Sequence, residues 1–136
     1  MGKIKAEIIK YSKMLNSRKL SALRSGNISI RYKEGFLITP SGKKYSSLKT
    51  RDIVFVSLEG KFDNKKGIPS SEWQFHQDIY KNKKEAEAIV HAHSTNATAV
   101  STHKRGIPSF HYMVAMAGGH DIKCAKYATF GTRDLS

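Results

Sequence analysis

The stretch Ala88-Ile89-Val90-His91-Ala92-His93-Ser94 carries the strongest structural and chemical signal in the chain. The run Ala88-Ile89-Val90 is apolar, and Ile89 and Val90 are β-branched, so it reads as a buried strand. On a strand, residues two apart point to the same face. His91 and His93 therefore face one way, and two imidazoles so placed suit a single metal ion at about 2.0–2.1 Å from each nitrogen. The other reading is two surface histidines beside a strand end. A third ligand is needed for a metal, and the sequence offers His76, His103, His111 and His120 with no spacing that selects one.

Working upstream, Ser70-Ser71-Glu72 stands before Trp73, Phe75, Ile79 and Tyr80, which recur at helical spacing. Ser70 and Ser71 read as the cap of that helix, closed by Lys81-Asn82-Lys83-Lys84-Glu85. Two hydroxyls at a helix start, beside exposed N–H groups, make an anion site, or simply a capping pair. Glu72 falls in the first turn, either as a partner of the helix dipole or as a base poised over a metal. Further upstream, 53–58 reads as a strand. Ile28, Ile30 and Tyr32 alternate with Ser29, Arg31 and Lys33 as a half-buried strand. Glu34-Gly35 is a two-residue hairpin signal leading into a partner strand at 36–39. Ser25-Gly26-Asn27 and Thr39-Pro40-Ser41-Gly42 are small polar turns able to present N–H groups to phosphate. Residues 3–20 form an amphipathic helix, with Ile4, Ile8, Tyr11 and Leu15 on one face.

Downstream, a short helix covers Asn96 to Thr102, and Gly106-Ile107-Pro108 ends it. Thr132 has the character of a helix N-cap with Asp134 in the first turn, yet the sequence ends at Ser136. The expectation is a single domain over 1–136 of the α/β class whose C-terminal part is missing.

Lys and Arg number 24 against 11 Asp and Glu, a net charge of +13. Such a balance raises nucleic acid as a partner. The lysines, however, are spread from Lys3 to Lys126, and no zinc-finger, RNA-recognition or basic-region pattern accompanies them. They read instead as lysine-rich composition or as attraction for a phosphorylated metabolite. No apolar run is long enough for a membrane helix, and the N-terminus lacks a signal-peptide core. The single cysteine, Cys124, suits a reducing, cytoplasmic compartment.

Six blocks occur in an order that resembles the class II aldolase/adducin family, most closely its L-fuculose-phosphate aldolase branch. They are Gly26-Asn27-Ile28-Ser29, Leu37-Ile38-Thr39-Pro40-Ser41-Gly42, Pro69-Ser70-Ser71-Glu72-Trp73, Val90-His91-Ala92-His93, Ile107-Pro108-Ser109-Phe110-His111-Tyr112-Met113 and Tyr127-Ala128-Thr129-Phe130-Gly131-Thr132-Arg133. The resemblance implies a three-layer α/β/α domain with a central, mainly antiparallel sheet. It implies zinc on three histidines, two of them matched by His91 and His93, with Glu72 beside the metal as the acid/base carboxylate. It implies a phosphate pocket at Asn27, Ser41, Gly42, Ser70 and Ser71. Tyr112 matches a tyrosine that protonates the aldehyde oxygen across the interface of a C4 homotetramer, and Phe130 an aromatic near the aldehyde end. The implied reaction is reversible cleavage of a sugar 1-phosphate, such as L-fuculose 1-phosphate, to dihydroxyacetone phosphate and an aldehyde.

Two departures accompany the match. The third zinc histidine of the family lies in a His-His-Gly segment beyond the point where this sequence ends. Leu23-Arg24 replaces a usual Gly-Thr, so that Arg24 either assists phosphate binding or disturbs the turn. Both leave room for a non-catalytic remnant or a metal- and phosphate-binding module of the same fold. Pentulose-5-phosphate 4-epimerases are similar as well, but typically carry Asp where this chain has Glu72. Adducin-type members lack the metal histidines.

Overall fold

The computed structural model describes residues 1–136. They form two compact units, Met1–Ala92 with Ala128–Ser136, and His93–Tyr127.

The first unit is built on an antiparallel sheet of β1 (Asn27–Tyr32), β2 (Gly35–Ile38), β3 (Val54–Ser57) and β4 (Ala88–His91), in the order β3-β2-β1-β4. Helix α1 (Gly2–Ser17) covers one face and α2 (Trp73–Asn82) the other, so both faces carry a core. On β2 the period-2 rule is visible residue by residue. Leu37 packs with Ile8, Leu15, Ile28, Tyr45, Leu48 and Ile53 on the α1 side. Phe36 and Ile38 pack with Val54, Val56 and Tyr80 on the α2 side. The three-layer α/β/α arrangement is thus present.

Several local expectations are corrected. Tyr11 is 48% exposed, and the buried position beside it is Ser12, whose hydroxyl donates back to the Ile8 carbonyl at 2.7 Å. Hairpin pairing runs to Tyr32↔Gly35, so the turn is Lys33-Glu34 and Gly35 belongs to the strand. The glycine is required there by contact: a Cβ would sit 2.2 Å from the Val56 carbonyl oxygen and against the Phe55 ring. Lys33 takes the positive φ of 51°. β4 is an edge strand that stops at His91, and Ala88 and Val90 are exposed rather than buried. It stops because its partner β1 begins at Asn27, opposite His91, after Gly26 turns the chain at φ 77°.

The polar residues of β1 do not face solvent. Arg31 donates to the carbonyls of Tyr80, Lys83 and Ala86 at 3.1, 3.0 and 2.9 Å. It closes the C-terminal end of α2, where a cation complements the helix dipole. Asn27 and Ser29, two and four residues before it, lie on the same face. The half-buried strand of the sequence reading is therefore covered on both sides.

The second unit contains α3 (Thr95–Thr102), a reciprocal pair of backbone bonds between Ile107 and Ile122 at 2.8 and 2.9 Å, and a 3₁₀ segment over Tyr112–Ala117 ended by Gly118 in the left-handed region. No helix of the chain is long and apolar enough to cross a membrane.

Candidate active site

Three separate turns of the sequence meet in the first unit. Pro40 faces Pro69 in an isolated antiparallel bridge, flanked by Ser41 N–H to the Ile68 carbonyl at 3.0 Å and Ser70 N–H to the Thr39 carbonyl at 2.9 Å. Thr39 is tied in turn to β1: its N–H reaches the Ile28 carbonyl at 3.0 Å, and its hydroxyl accepts from the Ile28 N–H at 3.2 Å. Ser41-Gly42 and Ser70-Ser71 thus lie on two bridged loops beside the start of β1. Gly42 has φ 68° with open space where a Cβ would lie. Its carbonyl accepts from Arg24 Nη1 at 2.7 Å, so Arg24 braces the turn. Gly131 approaches from the C-terminal segment, where a Cβ would lie 3.5 Å from the Ser71 Cβ. Its neighbour Phe130 is exposed.

Helix α2 begins at Trp73, with Glu72 at the N-cap position and no side-chain cap. The expected serine cap is displaced upstream: Ser70 Oγ accepts the Glu72 N–H at 3.3 Å, and the Ser70 carbonyl accepts the Trp73 N–H at 3.1 Å. This turn swings the Glu72 side chain toward the sheet. Its Oε2 accepts from Asn27 Nδ2 at 2.6 Å and lies 3.0 Å from His91 Nδ1. The two residues that flank the carboxylate are the paired strand residues Asn27 and His91.

Behind Asn27 lies a buried polar row that the sequence reading missed. The Asn27 Oδ1 contacts His76 Nε2. His76 Nδ1 is 2.7 Å from Ser29 Oγ, and Ser29 Oγ is 2.8 Å from the Tyr80 hydroxyl. His76 is fully buried, stacked on Phe75 with ring centres 4.5 Å apart. Desolvation, aided by repulsion from His91 and opposed by the Glu72 charge, pushes its pKa down to about 3, so the ring is neutral. Burial raises Tyr80 to about 12, against the opposing Ser29 hydrogen bond. The signal for this row was in the sequence. Glu72, His76 and Tyr80 are spaced i, i+4, i+8, and Asn27 and Ser29 are spaced i, i+2.

This geometry bears on the expected ligand residues. His76 was open as a third metal ligand, but both of its ring nitrogens are engaged by Ser29 and Asn27. Asn27 is 2% exposed, with its amide held between Glu72 and His76. Of its two amide N–H groups, the bond to Glu72 uses one. His91 closes β4 in the first unit, and its ring lies edge-on to Phe75 at 5.3 Å. His93 belongs to the second unit, beyond the end of the strand, so the i, i+2 rule does not extend to it. Tyr112 also lies in the second unit and is exposed, with its ring 4.4 Å from that of His111. His103, His111 and His120 lie there too. No three His, Cys, Asp or Glu side chains converge as a group able to hold a metal. The His91–Glu72 pair brings together nitrogen and oxygen donors that suit zinc in kind, fewer than the three protein ligands of a catalytic zinc site.

Known proteins point the same way. Residues 6–136 match the family described as Class II Aldolase and Adducin N-terminal domain. The chain is 52% identical over 112 residues to L-fuculose phosphate aldolase of Escherichia coli strain K12, covering 82% of this chain and 52% of that protein. It is 45% identical over 134 residues to the 5-methylthioribulose-1-phosphate/5-deoxyribulose-1-phosphate aldolase of Escherichia coli O45:K1 strain S88, covering 98% of this chain and 62% of the relative. A solved L-fuculose 1-phosphate aldolase superposes with a TM-score of 0.93 at 38% identity, over 99% of this chain and 64% of that one. The chain spans about half the length of the L-fuculose phosphate aldolases it matches. On the family match over residues 6–136 and the identity to these relatives, the chain belongs to the class II aldolase and adducin N-terminal domain family.

Proposed function

We propose that this chain carries the substrate-binding and proton-transfer part of a zinc-dependent aldolase that cleaves a sugar 1-phosphate, such as L-fuculose 1-phosphate, to dihydroxyacetone phosphate and an aldehyde. The observation that carries the reading is Glu72 held between Asn27 and His91, directly after Ser70-Ser71 and beside the bridged Ser41-Gly42 loop. A carboxylate so fixed next to hydroxyl donors has the layout needed to move a proton on a phosphate-anchored substrate.

Ser41, Gly42, Ser70 and Ser71, with the remaining Asn27 amide N–H, hold the phosphate and thereby set the distance from the anchor to the reacting carbons. Glu72 takes and returns the proton at the carbon next to the carbonyl. Asn27 donates to one carboxylate oxygen and fixes its direction. His91 and His93, with Glu72 adjacent, are the residues that would hold zinc. Zinc supplies Lewis-acid polarisation of the carbonyl when bound. Tyr112 serves as proton donor to the aldehyde oxygen, contributed by a neighbouring subunit of a homotetramer, and Phe130 lines the aldehyde end. The protein works in the cytoplasm on a metabolite, and its positive charge favours a phosphorylated one.

The test is a coupled assay for dihydroxyacetone phosphate with L-fuculose 1-phosphate and 5-methylthioribulose 1-phosphate, in zinc buffer, on the chain extended by the C-terminal part of a relative. Turnover of one of them, lost in Glu72→Gln with phosphate affinity retained, supports the reading. Turnover undiminished in Glu72→Gln, or no turnover of either substrate while zinc and phosphate are bound, overturns it.

A further inference from the structure

We propose that His76 is a positioning residue that fixes which end of the Asn27 amide faces Glu72, through a one-way hydrogen-bond chain running Tyr80–Ser29–His76–Asn27–Glu72. The proposal rests on the reading of Glu72 as the proton carrier.

The direction of the chain follows from its last member. Asn27 presents Nδ2 to Glu72 Oε2 at 2.6 Å, the arrangement that a carboxylate in its proton-accepting form requires. That turns Oδ1, an acceptor, toward His76 Nε2, which must then carry the ring proton. A neutral imidazole with Nε2–H has Nδ1 as an acceptor, so Ser29 donates to it at 2.7 Å. The Ser29 oxygen in turn accepts from the Tyr80 hydroxyl at 2.8 Å. Every donor meets an acceptor and no step is reversible on its own. With the Asn27 amide turned over, its oxygen would oppose the carboxylate, and every bond back to Tyr80 would have to reverse.

The imidazole suits the task because it is rigid and two-ended. It spans Ser29 and Asn27, which project from the same face of β1 two residues apart. Phe75 stacks on its ring, and Phe36 lies parallel with centres 6.5 Å apart. His76 and Tyr80 lie one helical turn apart on α2. Three of the five groups come from α2 and its N-cap and two from β1, so the row locks the helix to the strand in one register.

The test uses the 136-residue chain and two variants. Nitrogen-15 NMR of the histidine rings is expected to show His76 as the Nε2–H tautomer between about pH 5 and 8, with its N–H shielded from exchange. The Asn27 side-chain amide protons should be slow to exchange in the wild type, fast in His76→Phe, and slow again in His76→Gln, which restores a donor to Oδ1. In the extended enzyme, His76→Phe lowers kcat roughly tenfold or more with KM within about twofold, and His76→Gln recovers part of it. A merely structural histidine would change thermal stability without this split or the rescue. An Nδ1–H tautomer in the wild type overturns the proposal even if His76→Phe fails to fold. So does an Asn27 amide equally protected in wild type and His76→Phe. Absence of turnover in the wild type counts against the aldolase reading alone, because the tautomer and exchange results do not depend on catalysis.

Discussion

Replacing Gly26 by alanine should loosen the edge strand that carries His91, and contacts around Gly26 set the size of the effect. Gly26 has φ 77°, and an added Cβ would lie 2.5 Å from the His91 carbonyl oxygen and 2.6 Å from Ser21 Oγ. The left-handed backbone alone costs about 1–2 kcal/mol for a residue with a Cβ. Forcing the β4 carbonyl outward adds about 1–3 kcal/mol of overpacking. The total of roughly 2–5 kcal/mol is a large share of a stability that is normally about 5–15 kcal/mol. Gly42 is the internal control. Its φ is 68°, yet nothing lies within 4 Å of its Cβ position, so Gly42→Ala should show the backbone part alone. Urea denaturation of both variants reads the difference directly, provided the m-values agree. Amide exchange of residues 88–91 should also quicken in Gly26→Ala and not in Gly42→Ala. Equal destabilisation by the two substitutions would refute the reasoning, since the clash with β4 is what separates them.

Ser71→Ala should weaken binding of inorganic phosphate by roughly tenfold or more, as expected for one charge-assisted hydrogen bond of about 1.5–3 kcal/mol; equal affinities by calorimetry would remove Ser71 from the pocket. The 136-residue chain should lose zinc on dialysis against a chelator, and joining the C-terminal segment of a relative should restore metal retention and turnover together; stoichiometric zinc kept by the short chain would contradict this. Below about pH 6.5, stability should fall as pH is lowered, because the unfolded His76 binds a proton that the buried ring, with its pKa near 3, does not. The slope from this residue is up to about 1.4 kcal/mol per pH unit between those two values, with the full contribution present above pH 6.5. Urea denaturation at pH 7.5 and 5 checks it, and His76→Gln should lack that part of the slope.

The framework was legible because its signals are local. Alternation at 28–32, the glycine at 35 and the apolar run at 53–58 set the hairpin and its neighbour, and the spacing of Trp73 to Tyr80 set α2. Two of the wrong details share one cause. Period-2 alternation on β1 was read as one wet face, since Asn, Ser and Arg are mostly exposed residues. Here a helix that supplies His76, Tyr80 and C-terminal carbonyls covers that face, so the polar side chains are satisfied in the interior. A single strand does not reveal what lies opposite it. For the same reason His91-Ala92-His93 reads as one continuous strand, although pairing ends where β1 ends, at Asn27↔His91. The meeting of Ser41-Gly42 with Ser70-Ser71 depends on the Pro40–Pro69 bridge, a long-range contact that no window of sequence contains.

The bridge also decides how the pocket can change over evolutionary time. The amide N–H groups of Ser41, Ser70, Glu72 and Trp73 are already committed to protein acceptors. The two loops therefore differ from a glycine-rich nest, in which successive main-chain amides wrap the anion whatever the side chains are. Under the proposed reading, recognition of phosphate then falls largely to hydroxyls, one side-chain amide and the main-chain N–H of Gly42. A main-chain nest is silent to point mutation, whereas a hydroxyl is gained or lost with a single codon. On that reading, a lineage carrying this scaffold can retune its grip on the anionic end of a substrate one residue at a time, leaving the backbone path untouched.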